Sequence, residues 1–133
     1  MSLEKKKINK SSKIGKPLIS LIEAAGNGDI EKIKALLKTG VKVKKAVNNK
    51  GITALMKASD KGYKETVKLL LNAGAKVNAV NNKGITALAI VAQSGHTEIA
   101  KMLIEAGANV NIASDKGLTA LMKASRKGKI KIS

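Results

Sequence analysis

Residues 48–80, NNKGITALMKASDKGYKETVKLLLNAGAKVNAV, are followed without a break by a second copy, NNKGITALAIVAQSGHTEIAKMLIEAGANVNIA, at 81–113. A third copy opens with SDKGLTALMKASRKGK. Gly51, Gly84 and Gly117 fall 33 residues apart, as do Thr53, Thr86 and Thr119. A fixed period of this length marks a stack of like supersecondary units, each too small to bury its own apolar face. The chain is thereby confined to an open array, and any function is directed to a surface instead of an enclosed cleft.

The apolar share of the 133 residues is 44%, but aromatics are only 1%, with Tyr63 alone and no Phe or Trp. The core must therefore be aliphatic, which suits small helices packed with axes about 8–10 Å apart. There is no Cys, so disulfides and thiolate metal sites are excluded. The start, MSLEKKKINKSSKIGK, lacks the apolar run of a signal peptide, and no window approaches the length needed to cross a membrane. The expected location is intracellular, by default the cytoplasm.

Within a unit the local logic is legible. Asn48, Asn81 and Ser114 open a turn with short side chains that bond nearby backbone. The glycines at 51, 84 and 117 supply the positive φ that such a turn requires. Thr53, Thr86 and Thr119 then cap a first helix, which Gly62, Gly95 and Gly128 end. Val67, Leu70 and Leu71, or Ile99, Leu103 and Ile104, give a second helix its buried face. Gly74 and Gly107 stop that helix.

Residues 18–40 repeat this helical pair without the preceding turn. Leu21, Ile22 and Ala25 make one stripe there, and Ile30, Ile33, Leu36 and Leu37 another. Gly28 and Gly40 precede Gly62 and Gly74 by 34 residues, which places one inserted residue at Lys44 or Lys45. Four units follow: 17–47, 48–80, 81–113 and an incomplete 114–133, preceded by a basic disordered tail at 1–16. Ser20, Glu23 and Lys32 suit a solvent-facing first unit. The last unit stops at KGKIKIS where its second helix should run, so either the array continues beyond it or that helix packs on another molecule.

The segments TALMKAS, TALAIVAQSGHTEIAKMLIEAGANVN and LLLNAGAKVN resemble the ankyrin repeat over about residues 17–128. The resemblance implies an all-α solenoid of helix-turn-helix units with short turn or hairpin tips, about three and a half repeats long. It also implies a non-catalytic adaptor, without cofactor or metal, that binds another protein on its concave face. Two departures are clear. Ala54, Ala87 and Ala120 stand where the family has Pro, and Met56, Ala89 and Met122 where it has His. The fold should survive both, with some loss of rigidity.

No residue cluster points to catalysis. His96 is the single histidine and occupies a position where the family often carries one, so a structural role fits it better than metal or proton chemistry. Ser94 has no acid or base to complete a triad, and no phosphate-cradling glycine loop is present.

Net charge is +17. It is uneven: residues 81–113 hold two Lys and two acids, whereas residues 48–80 hold six Lys and two acids. Lys50, Lys83 and Lys116 recur in register on the turn tips, beside Asn49, Asn82 and Asp115. Ile52, Ile85 and Leu118 adjoin them, apolar and expected to be exposed. Lys61, Gln93, Ser94, Arg126 and Lys127 lie toward the helix end of the same face. Together these residues form the candidate partner surface, suited to an acidic protein. Two alternatives stand beside it. One is charge-driven binding of nucleic acid or an anionic membrane surface, in which stacking on bases is disfavoured by the lack of aromatics. The other is a structural or engineered array without a specific partner.

Overall fold

The computed structural model describes residues 16–112. The units begin as the turn chemistry dictates. Asn48 Oδ1 accepts from the backbone N–H of Lys50 at 2.9 Å and of Ile52 at 3.0 Å. Asn81 Oδ1 does the same with Lys83 at 2.8 Å and Ile85 at 3.0 Å. Thr53 Oγ1 then accepts from Met56 N–H at 3.1 Å, and Thr86 Oγ1 from Ala89 N–H at 3.2 Å. Each cap satisfies one of the donors that a helix start leaves without an internal partner.

The resulting elements are α1 (residues 16–27), α2 (Ile30–Lys38), α3 (Ala54–Lys61), α4 (Lys64–Asn72), α5 (Ala87–Ser94) and α6 (Thr97–Glu105). They form three helix pairs, one per unit. Helices α3 and α5 start at Ala54 and Ala87 without the family's proline. Alanine has the highest helix propensity, so the cap alone is enough to set the start. Each second helix closes with the same pair of bonds. Gly74 N–H donates to Leu71 O and Ala75 N–H to Leu70 O, both at 3.0 Å, and Gly107 and Ala108 repeat this on Ile104 and Leu103.

One aliphatic core runs through all three pairs. Leu21, Ile33, Leu55, Leu70, Leu88, Val91, Ile99 and Leu103 are all buried within it. Burying such a side chain contributes about 1.5–3 kcal/mol. First helices bring the smallest residues to the seam between units: Ala54 and Ala58 on α3, Ala87 and Ala92 on α5 are buried. Accordingly α3 and α5 share more contact than α4 and α6 do. Helices with small contact residues approach closely, so the array closes on the first-helix side and opens on the other.

The inserted residue falls in a short 3-10 turn, Val43–Lys45, which buries Val43 and takes up the extra length. One sequence expectation is corrected. Ile104 was placed on the buried face of its helix but is 42% exposed. The inward stripe of α6 is Ile99, Ala100 and Leu103, and one residue further the helix has turned by about 100°, carrying Ile104 outward. Leu71 is only half-buried for the same reason.

Ser59 on α3 is fully buried, and its hydroxyl has no hydrogen-bond partner. The matching positions in the other two units are Ala25 and Ala92, both buried. An unpaired buried hydroxyl is a desolvation loss without return. Ser59→Ala is therefore expected to stabilise the protein by about 1 kcal/mol, a rise of roughly 4 °C in the thermal midpoint. A lowered midpoint would mean that the hydroxyl has a partner of its own.

Candidate interaction surface

The turn tips are joined to each other across units. Asn82 Nδ2 donates to Asn49 O at 3.0 Å, and the Asn82 backbone N–H donates to Lys50 O at 3.1 Å. Of the two asparagines expected to meet a partner, Asn82 thus spends its side chain on holding the third tip against the second, while Asn49 contributes only its backbone carbonyl and keeps its side chain exposed. Lys50 and Lys83 remain exposed on these braced tips. Ile52 and Ile85 do not stand out as expected. Both are half-buried and pack against the core, because the Asn-anchored turn folds the following residue back toward the first helix.

Further bonds lock the units at their other levels. Asn78 Nδ2 donates to Gly107 O at 3.1 Å, while Asn109 N–H donates to Asn78 Oδ1 at 2.7 Å. His96 Nε2 lies 3.2 Å from Asp60 O. A carbonyl only accepts, so this nitrogen carries the proton. The imidazole ring also covers Gly62, where an added Cβ would fall 2.8 Å from the ring. Tyr63 covers Gly28 in the same way, at 3.2 Å. Ring over glycine is thus an inter-unit packing device, and the single histidine serves it.

Behind the tips lies the exposed side of the first helices. An open groove of about 740 Å³ runs between α1 and α3, lined among others by Ile19, Glu23, Asn27, Asn48, Lys57 and Lys61. Of these only Lys61 is among the residues expected from the sequence to meet a partner, Asn48 being read as a turn opener and Glu23 as solvent-facing cover. Asp60 and Gln93 are exposed on the same helices, and Ser94 is half-buried. Glu23, Asn27, Lys57 and Lys61 form two i, i+4 pairs in register at the 34-residue offset. That signal was present in the sequence but was absorbed by reading the first unit as a polar cover. Asp115, Lys116, Leu118, Arg126 and Lys127 lie outside the described residues.

Among the described residues no group of three His, Cys, Asp or Glu could hold a metal ion. No helix among them is long and apolar enough to cross a membrane. Two shallower grooves, of about 660 and 280 Å³, lie between the second helices on the opposite side.

A family model described as ankyrin repeats in three copies matches residues 3–81 and 73–133. The chain belongs to the ankyrin-repeat family. No curated protein shows a significant match to it. Ankyrin repeats are generally protein–protein interaction modules and generally non-catalytic.

At Gly51 the backbones of two ankyrin units come close together. Its φ is +77°, and an added Cβ would lie 2.8 Å from Asn82 N and 2.9 Å from Asn81 Cα. Gly40 has φ +93° but nothing within 4 Å of such a Cβ. Gly40→Ala should therefore cost only the backbone strain of about 1–2 kcal/mol. Gly51→Ala adds a collision with backbone that cannot move freely, for a total loss of about 3 kcal/mol or more by urea unfolding. Equal losses would show that the tips do not bear on each other.

Proposed function

We propose that this ankyrin array binds an acidic segment of another protein on the face made by the turn tips and first helices. The observation that carries the reading is the pair Lys50 and Lys83. Both stand exposed on tips of the same hydrogen-bonded form, and those tips are bonded to each other. The backbone that carries both lysines is thus fixed before any partner arrives. Ordering costs that a flexible loop would meet on binding have already been met in folding. Lys57 and Lys61 continue the positive character along the groove beside α1, with Glu23 setting a negative limit.

Binding on this face involves no reaction and no cofactor. The positive row speeds encounter with an acidic partner and makes association sensitive to salt. The half-buried Ile52 and Ile85 offer apolar edges for a partner's aliphatic side chains. A cytoplasmic setting belongs to the same proposal, since ankyrin repeats are commonly intracellular. So does the division of the chain into a basic tail at 1–16 and an array from residue 17 onward.

The test uses a glutamate-rich peptide with interspersed leucines, its association followed by stopped flow at low salt. The Lys50→Glu, Lys83→Glu double variant should associate roughly 10-fold more slowly while its thermal midpoint stays unchanged. Unchanged association with the peptide would remove the tips from the binding face.

A further inference from the structure

A second group of charges lies in the loop that follows α2 and leads into the second tip. Between Glu31 and Asp60 the chain carries eight lysines and no acid. The 3-10 turn Val43–Lys45 concentrates three of them. Val43 is buried, and Lys42, Lys44 and Lys45 are all exposed around it. Lys42 enters the turn with extended backbone, and its carbonyl accepts from the Lys45 N–H at 3.0 Å, which draws Lys42 and Lys45 to the two ends of one tight turn. Lys44 points across to the next unit, its Cε 3.6 Å from the position of a Cβ on Gly74. Two residues beyond Gly74 stands Lys76, also exposed. Four ammonium groups from two units thus share one edge. Among the described residues the one ion pair is Lys64 with Glu98, which involves none of them.

Lysine-rich composition does not account for this crowding, because the third unit does not share it. Asn109 occupies the register of Lys76, and Glu105 that of Lys38. Like charges crowded into one tight turn repel, and an anion bound over them relieves that repulsion. The edge also lacks what a protein partner would seat. Its apolar members Val43 and Ala46 are buried, and only the short side chain of Val47 stands out, 46% exposed although its backbone is bridged to Thr53. Thr39, Gly40 and Gly74 supply no anchor of the large, buried kind that dominates protein interfaces. Nor is there an aromatic or long aliphatic side chain beside the lysines to enter a lipid surface.

We infer that the Lys42, Lys44, Lys45 and Lys76 edge binds the sugar–phosphate backbone of double-stranded nucleic acid. Lysine meets phosphate as a point charge, without the bidentate fork that reads base edges. Recognition is therefore of the duplex backbone and indifferent to its sequence. The lysines of this edge are distinct from Lys50 and Lys83 of the tips, so the two surfaces can be altered independently.

The test is fluorescence anisotropy of the full chain with a 20-base-pair duplex DNA of mixed sequence, titrated over a range of salt. Two four-charge variants are compared. One replaces the edge lysines (Lys42→Gln, Lys44→Gln, Lys45→Gln, Lys76→Gln). The other removes four exposed lysines elsewhere (Lys34→Gln, Lys50→Gln, Lys68→Gln, Lys101→Gln). The edge variant should lose about 3–4 from the slope of log affinity against log salt, and the scattered variant about 1 or less. If the edge variant melts early, Lys42→Gln with Lys45→Gln alone should lose about 2. Equal losses in both four-charge variants would reduce the binding to net charge and overturn the assignment. So would absence of duplex binding by the unaltered chain, or tighter binding to phosphatidylserine vesicles than to the duplex.

Discussion

Helices α3 and α5 of neighbouring units pack extensively on each other, and each buries small alanines, Ala54 and Ala58 on one and Ala87 and Ala92 on the other. That seam lets Leu55 and Leu88 reach full burial, and each lies in a different unit. Neither helix pair has a second layer of its own. In a two-layer domain the core lies between elements of one fold unit; here it lies between repeats. A helix of eight or nine residues is marginal in isolation, so cover from the neighbouring unit decides whether it forms.

The same seam positions the surface. With α3 and α5 close, the tips that precede them are brought into backbone contact at Gly51 and Asn82. The tips become a rigid strip, and lysines on it keep their spacing. On the other side the second helices splay, and grooves open between them. The array therefore has unlike faces: a braced one at the tips and first helices, an open one behind, and a basic edge where the first unit's extra residue is taken up in a 3-10 turn. Division of labour among these faces follows from where each unit spends its small residues.

Much of this was legible in the chain. The glycine and threonine periodicities located every turn and both caps seen in full units, because those signals act through neighbouring backbone. Bonds between units were not legible. Asn82 reads locally as another turn residue, yet its amide reaches Asn49, 33 positions earlier. His96 and Tyr63 were placed at equivalent positions, but nothing local shows that their rings cover Gly62 and Gly28. Ile104 was misplaced because its neighbour Leu103 satisfies the same apolar pattern, and only the helix pair behind them distinguishes the two. The first-helix groove was missed since the residues forming it are polar, and polarity alone signals solvent as readily as a partner. Placement of charge at Lys44 depended on how the inserted residue was folded in.

The account requires that one repeat cannot fold without its neighbours. Circular dichroism of a peptide comprising residues 48–80 alone, beside the whole chain in the same buffer, measures this most directly. The whole chain should show helical signal lost in a single cooperative melt, while the lone unit should show little helix and no transition. A cooperative helical melt from the isolated unit would contradict the account, because its apolar face would then have found cover within itself.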